Sequence, residues 1–437
     1  MACFNYSGVC WRVGNISVGE FKMRIRSVSF LLITIAIIGL IWFLTSHQTK
    51  GNLIAQTRNG DLKSIKETIE SSPQQVNSRN DAGDSPLLVA ARAGRTDVIE
   101  LLLAKNADAQ ATGSDGRTPL EIVMDAGQED NALTLLPKSN PNHVGKDDLS
   151  LLHRAAKNGL SEVIGKLLDQ GVSVDLPDGK GVTPLMLTAE SGNVPAAKTL
   201  LDRKANIEAK DEEGMTALHH AAASGQPDLA ALLIERHALV NSEDKIKATP
   251  LHYAAKTGHD DVINLLISKG ADVNRHDGFG TTPLHRAANE GRLSSIDLLL
   301  SRKAELKATD NDGMPAMMLA GQNGYAEIVD YFLEKGMDVN LRDNFGTTTL
   351  HRAAYAGKTD IVKLLLQHHA NVQAKDKEGE TPAHKAAQRD FASVIELLAQ
   401  AGADLNMKDN QGRTPLNIAE IGNLQKTVAY LKSKGGK

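Results

Sequence analysis

Apolar and polar positions along this chain repeat eleven times between residues 85 and 416, at spacings of 33, 32 and then eight times 33 residues. The position that is most often proline marks each repeat. These positions are Pro86, Pro119, Leu151, Pro184, Ala217, Pro250, Pro283, Ala316, Thr349, Pro382 and Pro415. A fixed period of this length predicts small units that bury their apolar faces only by stacking on their neighbours, and therefore a solenoid.

Each block predicts a tight turn followed by two short helices. In the block at 277–311 the turn is rich in Asp and Gly, Thr282 fits a helix N-cap, and Pro283 fits the first helical position. A narrow apolar stripe follows, and Gly291 fits the left-handed end of the first helix. A second, leucine-rich helix that includes Leu299 completes the block.

The core of the block is one recurring motif. It reads Thr-Pro-Leu-His-Tyr-Ala-Ala at 249–255 and Thr-Pro-Leu-His-Arg-Ala-Ala at 282–288, and a closing Gly-Ala-Asp-Val-Asn stands at 270–274. These blocks resemble the ankyrin repeat, which has the same period and a Thr-Pro-Leu-His-x-Ala core. The resemblance implies an all-α solenoid, a left-handed stack of helix pairs whose turns project to one side.

The chain is predicted to divide into four parts. We expect an N-terminal tail at 1–27, a transmembrane helix that serves as a signal anchor at 28–45, a linker at 46–51 and the repeat array at 52–437. The array comprises about 11 repeats and an N-terminal capping repeat.

The segment 128–147 departs most from the repeat pattern. It contains Pro137 and Pro141 and lacks the closing motif. Because a proline inside a helix removes a hydrogen bond and clashes with the preceding turn, we predict that the second helix ends before Pro137 and that a weak joint follows.

Asp148 and Lys247 are smaller departures, since they occupy turn positions where glycine is usual. A left-handed lysine costs roughly 1–2 kcal/mol, so we expect another turn type there.

An uncharged apolar run at 28–45 is just long enough to cross a bilayer at about 1.5 Å per residue. Three basic residues precede it, which favours a cytoplasmic N-terminus and an extracytoplasmic array. Because the residues after the run make a poor cleavage site, we expect a single-pass membrane protein. A cleaved signal and a secreted protein are the alternative, and Met23 is an alternative start to Met1.

Charge and cysteine content narrow the function classes. The chain carries −4, and residues 1–50 hold five basic residues and one acidic residue, so the array carries −4 − 4 = −8. An acidic array is a poor nonspecific nucleic-acid binder, because such binding depends on phosphate neutralisation. No nucleic-acid partner is therefore expected. Cys3 and Cys10 lie outside the array, which leaves it without disulfides.

The sequence offers no pattern typical of catalysis or of a metal site. Six histidines share one motif position, and we predict that they form hydrogen bonds within and between neighbouring turns. They are His153, His219, His252, His285, His351 and His384. Walker loops, His-Glu-x-x-His motifs, nucleophile elbows and kinase motifs do not occur. We expect no catalytic residue, cofactor, metal or small-molecule substrate, and hence no enzyme.

The resemblance implies a protein-binding surface on the turn tips and on the exposed face of the first helices. Phe279 and Phe345 occupy matched tips two blocks apart, and aromatic residues and arginine dominate interface hot spots. The alternative is that each Phe packs only on its neighbouring turn. The predicted surface consists of Tyr253, Phe279, Arg286, Asn289, Glu290, Phe345, Arg352, Tyr355, Lys385, Gln388 and Arg389.

The predicted function is a membrane-anchored scaffold that binds one or more proteins. A secreted or translocated effector that binds a host protein, with 28–45 as its export signal, is the alternative.

Overall fold

The computed structural model describes residues 52–436, which form twenty-four α-helices and, within that range, no β-strand. Odd-numbered helices are the first helices of successive repeats, and even-numbered helices are the second. The first helices are α1 (Leu53–Asn59), α3 (Pro86–Ala93), α5 (Pro119–Asp125), α7 (Leu151–Lys157), α9 (Pro184–Ser191), α11 (Ala217–Ala223), α13 (Pro250–Thr257), α15 (Pro283–Asn289), α17 (Ala316–Asn323), α19 (Thr349–Tyr355), α21 (Pro382–Ala387) and α23 (Pro415–Ile421). The predicted all-α repeat fold is confirmed.

The second helices are longer on average than the first helices. They are α2 (Leu62–Ser71), α4 (Thr96–Ala104), α6 (Glu129–Leu135), α8 (Ser161–Asp169), α10 (Val194–Asp202), α12 (Pro227–Glu235), α14 (Asp260–Ser268), α16 (Leu293–Ser301), α18 (Ala326–Glu334), α20 (Thr359–Gln367), α22 (Ala392–Gln400) and α24 (Gln425–Ser433). Short 3-10 helices follow α2 at Pro73–Asn77 and α6 at Leu136–Lys138.

The described residues fall into two compact units. One comprises 52–123 and 130–139, and the other comprises 124–129 and 140–436. Helix α6 ends at Leu135, ahead of Pro137, as the missing N–H of a proline requires. The mechanical weakness of this segment stays a prediction.

Small and large apolar residues have different places in the second unit. From α7 to α23, consecutive first helices pack against one another. Alanines such as Ala287 and Ala288 are fully buried there, and their size permits close helix approach. The second helices contribute the larger core side chains, including Leu299 and Phe332, which are also fully buried. Each repeat therefore completes its core only by packing on its neighbours.

The expectation of a different turn type at Asp148 and Lys247 is wrong. Both residues adopt the left-handed conformation that glycine takes in the other turns, with φ of 60° at each. At Lys247 the turn is imposed by hydrogen bonds. The carboxylate of Asp244 accepts the N–H groups of Ile246 at 2.9 Å and of Ala248 at 2.8 Å, and the Asp244 carbonyl accepts the N–H of Lys247 at 3.0 Å. These bonds outweigh the steric cost of the lysine Cβ.

The predicted membrane localisation is also corrected. None of the helices between residues 52 and 436 is long and apolar enough to cross a membrane. The longest, α2, has 10 residues, whereas about 20 are needed at 1.5 Å per residue. The single-pass assignment is therefore withdrawn, together with the transmembrane signal anchor and the extracytoplasmic placement of the array. The predicted span, residues 28–45, lies outside the described residues.

Candidate protein-binding surface

Each turn that precedes a first helix from α9 to α23 has a tip whose backbone is held by one aspartate. At Asp277 one carboxylate oxygen accepts the N–H groups of Phe279 and Thr281, both at 2.9 Å. Asp343 repeats this geometry with Phe345 and Thr347, again at 2.9 Å. The phenylalanine backbone is thus fixed while its ring projects outward. Phe279 and Phe345 are 59% and 46% exposed as residues.

Neighbouring tips are joined to one another by backbone hydrogen bonds. The carbonyl of Phe279 accepts the N–H of Asn311 at 3.0 Å, and the carbonyl of Phe345 accepts the N–H of Lys377 at 2.9 Å. The tip between them is tied in the same way, because the carbonyl of Asp312 accepts the N–H of Asn344 at 2.8 Å. These bonds make the tips one connected row rather than separate loops.

The two arginines of the predicted surface form ion pairs within their own turns. Arg286 donates to the buried carboxylate of Asp277 at 2.5 Å, and Arg352 donates to that of Asp343 at 2.6 Å. Burial by itself would raise the pKa of both aspartates. Hydrogen bonds from the threonine hydroxyl, the arginine and the tip backbone outweigh it and hold each pKa below its usual value.

The same position carries a polar partner for the tip aspartate in other repeats. The hydroxyl of Tyr253 donates to Asp244 at 2.6 Å. The ammonium group of Lys385 lies 2.7 Å from Asp376 and 2.5 Å from Glu380. Sequence reasoning missed this role, although the signal is an aspartate nine residues ahead of each side chain.

The remaining predicted residues differ in how freely they face solvent. Tyr355 is 44% exposed, and the guanidinium of Arg389 lies 5.1 Å from the centre of its ring. Gln388 donates to the carboxylate of Glu380 at 2.7 Å. On α15 and the residue after it, the amide of Asn289 donates to Glu290 at 3.1 Å. The two exposed phenylalanines and Tyr355 are therefore the main accessible aromatic groups of the predicted surface.

Two acidic residues that the sequence prediction did not name lie beside three residues of the predicted surface. Phe345, Tyr355 and Arg352 line a cleft of about 330 Å³, together with the acidic side chains of Asp312 and Glu378. Asp312 and Glu378 occupy the positions in their tips that Phe345 occupies in the tip between them. The equivalent position two tips before Asp312 is Ile246, which is 39% exposed.

The motif histidines act as buried hydrogen-bonding bridges. In His285, Nδ1 accepts the backbone N–H of Thr282 at 3.2 Å, so Nε2 carries the proton and donates to the Met314 carbonyl of the next repeat at 3.0 Å. Burial lowers the pKa of this histidine, and it lowers the pKa of His252 and His351 to about 4. These rings are neutral bridges between repeats. Within residues 52–436, no cluster of three or more His, Cys, Asp or Glu side chains is arranged to hold a metal ion.

His220 differs from the motif histidines because it lies between two carboxylates. Its Nδ1 is 2.9 Å from Glu190, and its Nε2 is 2.8 Å from Asp211. Burial would lower its pKa, but the hydrogen bonds and charges of these carboxylates raise it above the ordinary value. His220 thus fills the place that Arg286 fills in its own repeat.

Two family models match nearly the whole described chain. The model described as ankyrin repeats (3 copies) matches residues 53–147, 152–244, 237–310 and 302–376, and the model described as ankyrin repeats (many copies) matches 365–419.

Parts of the chain are similar to several curated proteins. Cyclin-dependent kinase 4 inhibitor B of Rattus norvegicus is 32% identical over 111 residues, which are 25% of this chain and 85% of that protein. The transient receptor potential cation channel subfamily A member 1 homolog of Caenorhabditis elegans is 26% identical over 139 residues, 32% of this chain and 12% of that protein. The ankyrin repeat and KH domain-containing protein mask-1 of the same organism is 34% identical over 118 residues, 26% of this chain and 4% of that protein. The chain thus spans only a small part of the longer relatives.

Proposed function

Because this chain belongs to the ankyrin repeat family, we propose that its tips and first helices between residues 245 and 389 bind a partner protein. The observation that carries the proposal is the exposure of Phe279 and Phe345 at equivalent tips, 59% and 46%. Interface hot spots are enriched in anchoring side chains that fill pockets of the partner. The high exposure of both rings argues against a role limited to packing on adjacent turns.

The rigidity of the tips supports the same proposal. Each phenylalanine backbone is held by a buried aspartate and joined to the next tip before any partner arrives. A surface that is already ordered loses less conformational entropy on association. Arg286 and Arg352 then act as supports that hold the tip aspartates, and Phe279, Phe345 and Tyr355 supply the contact area.

One relative gives independent support for a protein partner. The relative from Rattus norvegicus, of which 85% is matched by this chain, is named as an inhibitor of cyclin-dependent kinase 4. By that name it acts on another protein. We extend to the present chain only the general mode, binding of a protein by the repeats.

Site-specific crosslinking tests the proposal directly. A benzophenone amino acid is introduced at Phe345 in the full chain, and in a matched control at Leu239, which is 63% exposed and lies outside the proposed surface. After irradiation in cells, we expect a protein adduct from position 345 and none of the same mass from position 239.

The captured partner is then purified, and its affinity is measured for the Phe279→Ala, Phe345→Ala double variant. We expect a loss of more than about 2 kcal/mol if both rings are hot spots, with the helical circular dichroism signal unchanged. Equal crosslinking at both positions, or an unchanged affinity of the double variant, would disprove binding at this surface.

A further inference from the structure

Four equivalent tip residues, which we call the tip row, alternate in chemistry. In chain order they are Phe279, Asp312, Phe345 and Glu378, each 33 residues after the one before. All four are exposed. The carboxylates of Asp312 and Glu378 form no hydrogen bond or ion pair within residues 52–436, unlike the buried aspartates that hold the tips. The row therefore presents apolar, acidic, apolar and acidic groups in succession.

The basic residues nearby leave this pattern in place. Arg286 and Arg352 are held by the buried aspartates of their own turns. Lys385 lines the same cleft as Asp312 and Glu378, but its ammonium group is paired with Asp376 and Glu380. The residue that precedes Asp312 is the neutral Asn311, whereas the exposed Lys377 precedes Glu378. The negative charge of Asp312 consequently has less positive charge beside it in the sequence than that of Glu378 has. The net charge of −8 on the array adds a general attraction for a basic partner.

The spacing of the row follows from how the tips are joined. The N–H of Asn311 donates to the carbonyl of Phe279 at 3.0 Å, and the next tips are joined by equivalent bonds. Each tip leads directly into its own first helix, so the tips repeat at the spacing of the first helices. Adjacent first helices pack at about 8–10 Å, which separates equivalent residues of adjacent tips by about 10 Å.

This spacing discriminates between conformations of a bound segment. An α-helix advances about 10.5 Å in seven residues, which are close to two full turns, and returns the same face to the surface. An extended segment covers about 10 Å in three residues, and its side chains alternate between opposite sides. Of these two conformations, the helix presents a side chain to every tip in turn, whereas the extended segment reaches every second tip.

We propose that the tip row binds an α-helix of the partner that carries apolar residues at positions i and i+14 and lysine or arginine at positions i+7 and i+21. The apolar residues contact Phe279 and Phe345, and the basic residues pair with Asp312 and Glu378. This inference rests on the proposed function above and adds the conformation and charge pattern of the bound segment.

Two synthetic peptides of one composition test the pattern. Both are 25-residue alanine- and glutamine-rich helices, a composition that favours helix. The in-register peptide carries leucine at 2 and 16 and lysine at 9 and 23. The blocked peptide carries leucine at 2 and 9 and lysine at 16 and 23. Affinity for the full chain is measured by fluorescence anisotropy, and we expect the in-register peptide to bind at least tenfold more tightly.

A charge exchange at Asp312 locates the contact. The Asp312→Lys variant should bind the in-register peptide at least tenfold more weakly, and replacing lysine 9 of the peptide by glutamate should restore the affinity. Asp312→Asn serves as the milder variant and should give a smaller loss. Circular dichroism verifies that both variants are folded, which we expect because the Asp312 side chain is exposed and makes no contact that the fold requires.

The outcomes separate this inference from the proposed function. Equal affinities for the two peptides, or a loss at Asp312→Lys that glutamate does not reverse, would overturn the helix register. If neither peptide binds but the crosslinked partner still depends on Phe279 and Phe345, the inference fails and the proposed function stands. If the partner is also insensitive to the phenylalanines, both fail.

Discussion

Replacement of Asp277 by alanine should remove the support of one tip and cost about 3 kcal/mol of folding free energy. The carboxylate is buried and accepts two backbone N–H groups at 2.9 Å, the hydroxyl of Thr281 and the guanidinium of Arg286. A hydrogen bond to a charged group contributes about 1.5–3 kcal/mol, and breaking a buried ion pair costs about 3–5 kcal/mol. Arg286 is 26% exposed and can turn to solvent, so the lower part of this range applies.

The assay combines urea unfolding with hydrogen exchange. Because each repeat contacts only its neighbours, we expect faster exchange in Phe279 and Thr281 and in α15, while distant repeats keep their protection. Asp312→Ala is the matched control. It removes an exposed aspartate of the next tip with no side-chain partner, and surface changes of this kind usually stay within about 0.5 kcal/mol.

The effect of Asp277→Ala should also depend on pH. The folded-state pKa of Asp277 is lower than its unfolded-state value, so the stability that it contributes is present above the ordinary aspartate pKa. That stability is lost as the pH falls through the folded-state pKa. The difference between the parent protein and the variant should therefore shrink in acid. A loss equal to that of Asp312→Ala, or a difference that does not change with pH, would refute the assigned role.

Three further changes test the fold. Lys247→Gly should raise the midpoint of urea unfolding, because relief of roughly 1–2 kcal/mol of left-handed strain exceeds the roughly 0.5–1 kcal/mol entropic cost of glycine. Lys245→Gly is the control and should lower the midpoint, because it carries only the entropic cost. A lowered midpoint for both variants would show that Lys247 is not strained. Leu299→Ala should cost about 2–5 kcal/mol because the side chain is fully buried, whereas Leu239→Ala at an exposed site should cost far less; similar losses would argue against this core. A fragment of residues 140–437 should retain a cooperative, helical unfolding transition, and an unstructured fragment would show that the predicted joint near 128–147 is not a boundary of stability.

The repeat fold was predictable from sequence because its determinants are local and are repeated many times. Turn glycines, a threonine cap, a proline at the first helical position and two apolar stripes recur at one period. A misjudged residue in one block is outweighed by the other blocks. The buried positions of Leu299 and of the motif histidines follow from the same periodicity, since a stack of identical units buries the same faces in each.

The supporting role of Arg286, Arg352, Tyr253 and Lys385 depended on tertiary structure. In the sequence they are polar residues on the exposed face of a helix. That pattern is as typical of a free binding surface as of a supporting role. In the folded chain each side chain reaches back to the aspartate of its own turn. A buried carboxylate requires a partner, and the sequence alone does not show that the aspartate is buried.

The left-handed Lys247 and the accessible acidic positions of the tip row were likewise decided in three dimensions. Local propensity argues against a left-handed lysine, but the three hydrogen bonds that Asp244 accepts fix the turn and impose this conformation on Lys247. Asp312 and Glu378 are unremarkable in sequence, because acidic residues are common in turns. They gain significance only when stacking brings them into one cleft with Phe345. The sequence thus determined which unit repeats, and the packing of one unit on the next determined which side chains support the surface and which face outward.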